Sequence, residues 1–222
     1  MASASFAEQQ ASAGKSDEPI VNAVLEAARP ERGLRWLDIG CGTGDLLRRI
    51  RDEWEPLSLA GVDALPWLDP DLADDVDFHE VSADVADMPV ADRVLMVETI
   101  EHLEAPWTSL RRAAQLVAPN GWLVVSTPNV ATLRHRLDLS VRGQLTSFRP
   151  DNEPHLTPAL PHVTSRILAS EGLQVQEPLY AAADVVPFTG GRHWPEAMRL
   201  RFPRPLSISV IVAGSRPASQ PS

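Results

Sequence analysis

Three side chains in the run Val97-Glu98-Thr99-Ile100-Glu101-His102-Leu103 could do chemistry together. Glu98, Glu101 and His102 stand at i, i+3 and i+4, which puts them on one face if the segment is helical. Two carboxylates and an imidazole can share a divalent cation, or a Glu can orient and activate a His as a base. A second group lies upstream, in Leu37-Asp38-Ile39-Gly40-Cys41-Gly42-Thr43-Gly44-Asp45. Glycines at alternate positions let the backbone turn sharply and let a ligand approach closely. The dinucleotide pattern Gly-x-Gly-x-x-Gly would need glycine where Asp45 stands. An acid there suits a ligand without phosphates and with a positive charge. Asp63, at the end of Ser58-Leu59-Ala60-Gly61-Val62, can accept both ribose hydroxyls of a nucleoside.

The elements that must position these groups alternate. Leu34 to Ile39 reads as a short buried strand, and Leu46, Leu47, Ile50 and Trp54 mark one side of the helix after the glycines. Ser58 to Val62, Val76 to Val81, Arg93 to Val97 and Trp122 to Ser126 read as further strands. Helices are expected at Pro19 to Ala28, at Pro106 to Val117 with proline in the first turn, at Val130 to Leu139, and at Thr157 to Ser170 with Thr157 as N-cap. Two strands close the chain, about Leu173 to Leu179 and Leu206 to Ala213. The segment 180–205 between them is long for a hairpin loop and carries a short helical pattern from Pro195 to Leu200. Such alternation argues for an α/β fold, a doubly wound parallel sheet covered on both faces.

The motifs in this order resemble the class I S-adenosylmethionine-dependent methyltransferases over roughly residues 20 to 213. The resemblance implies a mostly parallel seven-stranded sheet with a final antiparallel strand, the Rossmann-like methyltransferase fold. It implies that Asp38 and the turn Gly40, Cys41, Gly42 and Gly44 hold the methionine part of S-adenosylmethionine. Asp63 matches the ribose-binding acid. Asp84, with Val85 beside it, matches the acid near the adenine amine, and Glu98 falls in the motif beside cofactor and substrate. The run Glu-x-x-Glu-His resembles the ubiquinone-biosynthesis O-methyltransferases and the small-RNA 3′-terminal methyltransferases. In the latter a later histidine completes a metal site, and His155 could supply it. That leaves a divalent metal on Glu98, Glu101, His102 and His155 as an alternative to a metal-free pocket in which His102 and Glu101 are catalytic.

Methyl transfer from a sulfonium is an in-line displacement that needs positioning more than covalent chemistry. The expected reaction is therefore transfer of a methyl group to a small-molecule acceptor, an oxygen nucleophile being favoured because His102 could act as base. Asn129 and His155 are expected at the acceptor, under substrate lids near 130–156 and 180–205. His135 reads as readily as a surface residue. Competing functions are a nucleotide-cofactor oxidoreductase of NAD type, which Asp45 disfavours, and a non-catalytic cofactor-binding protein.

Composition bounds the partners. The formal charge of the 222 residues is −10, which argues against a nucleic-acid partner. Arg192, Arg199, Arg201 and Arg204 cluster in the long final loop, where they could meet an acidic substrate, a membrane surface or only solvent. Cys41 is the sole cysteine, so no intrachain disulfide forms; a small side chain packed under the cofactor is its expected role. No stretch approaches the ~18 apolar residues of a membrane span, and no secretory signal is evident, so a cytoplasmic location is expected. Residues 1–16 and 215–222 read as disordered tails flanking a domain at 17–214. A homodimer is one option for assembly.

Overall fold

The computed structural model describes residues 17–80, 88–152 and 154–218. Five parallel strands form its centre: β1 (Arg35–Ile39), β2 (Ser58–Asp63), β3 (Val76–Glu80), β4 (Ala91–Val97) and β5 (Val117–Pro128). β6 (Gln174–Val175), β7 (Leu179–Ala183) and β8 (Ser207–Ser215) complete the sheet, in the order β3-β2-β1-β4-β5-β8-β6. β8 runs antiparallel to β5, and β6 and β7 both pair antiparallel with β8. This is the expected doubly wound sheet, with the sixth strand broken in two. The break has a local cause. The register moves by one residue between Val175↔Gly214 and Leu179↔Ile211, and Pro178, without an N–H, sits in the irregular stretch.

Helices α1 (Glu18–Ala28) and α2 (Asp45–Trp54) cover one face of the sheet, and α3 (Pro106–Gln115) and α5 (Pro161–Ser170) cover the other. Side chains alternate along each strand between the two cores. Leu37, Val94, Met96, Leu123 and Val125 pack with Leu110 and Leu168, while Trp36, Leu95 and Val124 pack with Val24, Leu47 and Ile50. Burial on both faces is what makes the central strands continuous apolar runs.

Two insertions leave the carboxyl edge of the sheet. One follows β5 and holds α4 (Leu133–Arg142) and a helical turn at Thr146–Phe148; the other joins β7 to β8 and holds α6 (Glu196–Arg201) and α7 (Pro203–Leu206). The expected helix start at Thr157 is not observed: α5 begins at Pro161. The amides of Leu156 and Thr157 are bonded instead to the carbonyl of Glu101, 2.8 and 3.1 Å away, which keeps that stretch extended. Among the described residues no helix is long and apolar enough to cross a membrane.

Candidate active site

β1 delivers Asp38 and then the glycine turn. Gly40, Gly42 and Gly44 have φ of 83°, 53° and 85°, a region closed to most side chains. A Cβ at Gly40 would lie 2.3 Å from Thr99 Oγ1, so this glycine also permits the close approach of the segment after β4. The turn is tied to β2. The amide of Gly42 donates to Asp63 Oδ2 at 2.9 Å, and that of Leu65 donates to Oδ1 at 3.2 Å. Asp63 thus shapes the cradle, and its remaining lone pairs are free for further donors.

Asp38 is buried and its Oδ1 has no hydrogen-bond partner. Burial, and then repulsion from Asp63, push its pKa up to about 7. A carboxyl group so placed gains from a cation brought into the cradle. Cys41 is also buried, and burial followed by the charges of Asp38 and Asp63 holds its thiol far above the ordinary range. A Cβ on Gly61 would stand 2.9 Å from its sulfur, so Cys41 packs onto bare backbone of β2 and is unsuited to nucleophilic attack. Asp84 and Val85 lie outside the described residues.

The second half of the site follows β4. Glu98, Glu101 and His102 do not share a helical face. Glu98 turns the chain with φ of 49°, and Ile100–His102 makes a single tight turn. Glu98 is drawn to the sheet: its Oε1 accepts from Ser126 Oγ on β5 at 2.9 Å and from Ser209 Oγ on β8 at 2.8 Å. Burial raises its pKa, and the two serines oppose that shift. Ser209 carries no motif. Its one signal was a pair of serines, Ser207 and Ser209, at alternate positions of an otherwise apolar strand.

Glu101 is fully buried, and neither carboxylate oxygen has a hydrogen-bond donor. Burial, then the neighbouring Glu98, raise its pKa well above the ordinary value. Beside it, Nδ1 of His102 meets the carbonyl oxygen of Pro154 at 2.9 Å. A carbonyl only accepts, so Nδ1 carries the proton and Nε2 keeps its lone pair. His155 stacks edge-on against this ring with centroids 4.8 Å apart. Burial lowers the pKa of both histidines, and His102 lowers that of His155 further. Ligand atoms of Glu101, His102 and His155 all lie within 4.8 Å of one another. Glu98 is not one of that group.

Asn129 has a different place from the one expected. It is buried, Nδ2 donates to the carbonyls of Arg204 and Ser207 at 2.7 and 2.8 Å, and Oδ1 accepts from the amide of Ala131 at 3.1 Å. Both N–H groups and the carbonyl are spent on backbone, so the side chain stitches the two insertions and has no hydrogen left for an acceptor. His135 is buried, not a surface residue: Nδ1 accepts from the amide of Thr146 at 3.1 Å, and Nε2 lies 3.2 Å from Ser147 Oγ.

With this geometry in place, comparison with known families decides the lineage. The family described as "Methyltransferase domain" matches residues 13–176. The chain belongs to that family. The methyltransferase domain is 39% identical over 116 residues to the ubiquinone biosynthesis O-methyltransferase of Azorhizobium caulinodans, covering 46% of this chain and 43% of that protein. It is 27% identical over 196 residues to the mitochondrial ubiquinone biosynthesis O-methyltransferase of Homo sapiens, covering 80% and 51%. The chain spans about half the length of these curated relatives. Among solved structures, the N-methyltransferase NodS of Bradyrhizobium japonicum in complex with S-adenosyl-L-homocysteine superposes with a TM-score of 0.59 at 15% identity, covering 91% of this chain and 90% of that one. A SAM-dependent methyltransferase of Archaeoglobus fulgidus gives 0.62 at 16% identity, over 88% and 91%. At such identities the methyltransferase domain shares their fold; its chemistry must be argued from its own site.

Proposed function

We propose that the chain transfers a methyl group from S-adenosylmethionine to an oxygen of a small molecule. The observation that carries this reading is the pairing of a cation-seeking cradle with an imidazole whose lone pair is free at neutral pH. The cradle fits the cofactor: Asp38 has an orphaned buried oxygen that a cation would satisfy. Asp38 and residues Gly40 to Gly44 would hold the methionine end, and Asp63 the ribose. Asp84 and Val85 would flank the adenine, and Glu98 would stand beside the reacting groups. When bound, S-adenosylmethionine supplies the electrophilic methyl group and the leaving group. His102 Nε2 accepts the proton of the acceptor hydroxyl, held in that tautomer by Pro154. Glu101, pushed toward its neutral form by burial and Glu98, lies beside the ring, and His155 borders the acceptor. The relatives' names support an oxygen acceptor.

A second reading rests on the convergence of Glu101, His102 and His155. Two neutral imidazoles and a carboxylate without donors form a donor set for a divalent cation. There a cation would polarise the acceptor oxygen and remove the need for a base.

One experiment tests both. S-adenosylhomocysteine binding is measured by calorimetry, and the protein is then screened with labelled methyl donor against quinols, phenols and sugar nucleotides, with and without chelator. Binding of S-adenosylhomocysteine with label on oxygen supports the main reading. Tight binding of NAD with no response to S-adenosylhomocysteine would overturn it. Loss of labelling on chelation, restored by Mg or Mn, selects the metal reading. A cytoplasmic place of action and a homodimer stay with this reading as proposals, checked by cell fractionation and light scattering.

A further inference from the structure

One buried imidazole has no part in the methyl-transfer reading. His135 is the single buried residue of α4, at 5% exposure, where a surface helix ordinarily places an apolar anchor. Its ring is engaged at both nitrogens. Nδ1 accepts the amide hydrogen of Thr146 at 3.1 Å, so Nδ1 holds a lone pair. The proton of the neutral ring then stands on Nε2, which donates to Ser147 Oγ at 3.2 Å. Burial lowers the pKa of this ring and favours the neutral form, against the charge of Asp184. The tautomer is the reverse of that held by His102.

The residues that His135 holds lead to the other two histidines. The carbonyl of Ser147 accepts from Nδ2 of Asn152 at 2.7 Å, and the carbonyl of Asn152 accepts from the amide of His155 at 3.2 Å. Phe148, next in the same turn, sets its ring 5.4 Å from that of His155, tilted by 52°. His155 in turn stands edge-on to His102 at 4.8 Å. Contacts therefore run without a break from His135, through the turn Thr146–Phe148, to the pair His155 and His102. Asp138, three residues further along α4, takes the hydroxyl of Thr146 and, at 2.8 Å, Arg149. Asp138 thus keeps the turn against the helix, while His135 fixes the backbone amide from which the turn starts.

We propose that His135 is a positioning residue for the site: through Ser147, Asn152 and Phe148 it sets the place of the His155 ring against His102. The proposal rests on the pair His102 and His155, which both readings of the function use, and not on which of the two is right. An apolar side chain at 135 would leave the Thr146 amide without its acceptor. The turn would then be free to rotate, and Phe148 would no longer be held on His155. Asparagine can place a carbonyl oxygen near the position of Nδ1 and keep that bond.

Proton–nitrogen spectra of the histidine rings, taken on the full chain at one fixed pH, test this without turnover. The chain has six histidines, so each ring is assigned by a single substitution. Wild type is expected to show His135 protonated on Nε2 and His102 on Nδ1. His135→Leu should move the ring signals of His155 and His102, and speed exchange of the Thr146 amide about tenfold or more. His135→Asn should return both toward wild type. A cooperative thermal transition shows that each variant is folded. His135→Gln, which reaches Ser147 but not Thr146, takes the place of His135→Leu in this comparison if the latter lacks that transition. A purely structural role would lower the melting temperature of the variants and move neither ring. S-adenosylhomocysteine binding reports on the cofactor cradle alone: its absence from wild type would refute the functional reading, and the ring spectra would still decide this one. Signals of His155 and His102 that stay in place in folded His135→Leu, His135→Asn displaced as far as His135→Leu, or a wild-type His135 protonated on Nδ1, would each overturn the proposal.

Discussion

Nδ1 of His102 lies 2.9 Å from the carbonyl oxygen of Pro154, 52 residues further along the chain. This bond selects the tautomer of His102 and brings His155, the next residue, against its ring. His102→Asn keeps a donor for Pro154 and removes the imidazole. Turnover should fall by ~100-fold or more, with S-adenosylhomocysteine affinity unchanged by calorimetry. Full turnover in this variant would show that the ring is not the base.

Asp38 predicts a pH dependence of cofactor binding. Its carboxyl group ionises only at about 7 in the ligand-free protein, and an approaching cation stabilises the ionised form. Binding of S-adenosylhomocysteine should therefore release protons below that pH, tighten as pH rises, by at most about tenfold per unit, and level off above it. The same shift acts on stability. The unfolded chain ionises first, near 3.8, so stability is lost as pH rises from there to about 7. Asp38→Asn should bind more weakly and without this slope. Calorimetry in buffers of different ionisation heat checks the proton count.

Gly40 and Gly190 offer a matched pair. Both have positive φ, but a Cβ at Gly40 meets Thr99 at 2.3 Å whereas one at Gly190 meets nothing. Gly190→Ala should cost about 1 kcal/mol from the backbone alone. Gly40→Ala should cost ~2 kcal/mol or more and weaken cofactor binding, because Thr99 must shift. Thermal unfolding of the two variants measures the difference, and equal losses would contradict the close approach.

Asn129→Ala leaves the carbonyls of Arg204 and Ser207 without their donor. Stability should fall by about 2 kcal/mol, and limited proteolysis should cut first between residues 185 and 206. Unchanged stability together with weakened acceptor binding would return Asn129 to the pocket.

Much of the scaffold was legible in sequence because it depends on short-range rules. Short apolar runs marked β1 through β5, glycines marked the cradle, and Asp63 stood at a strand end. The less legible parts depend on register. The sixth strand read as continuous because its apolar pattern survives across Pro178, while the register slip shows only against β8. The helix written into Thr157-Pro158 gave way to backbone bonds donated by Leu156 and Thr157 to the carbonyl of Glu101, a partner that local capping rules do not contain.

By itself, then, the chain's order of residues determined the doubly wound sheet, the glycine cradle and the acids set around it, since backbone freedom and side-chain period act within a few residues. Only the tertiary structure decided that Glu98 turns to two serines, that His155 rather than Glu98 joins Glu101 and His102, and that the Asn129 side chain is engaged by backbone groups of both insertions. Those choices link positions from 28 to 111 residues apart. They follow from which strands lie side by side and which loop carbonyls come within reach, and no local propensity encodes either.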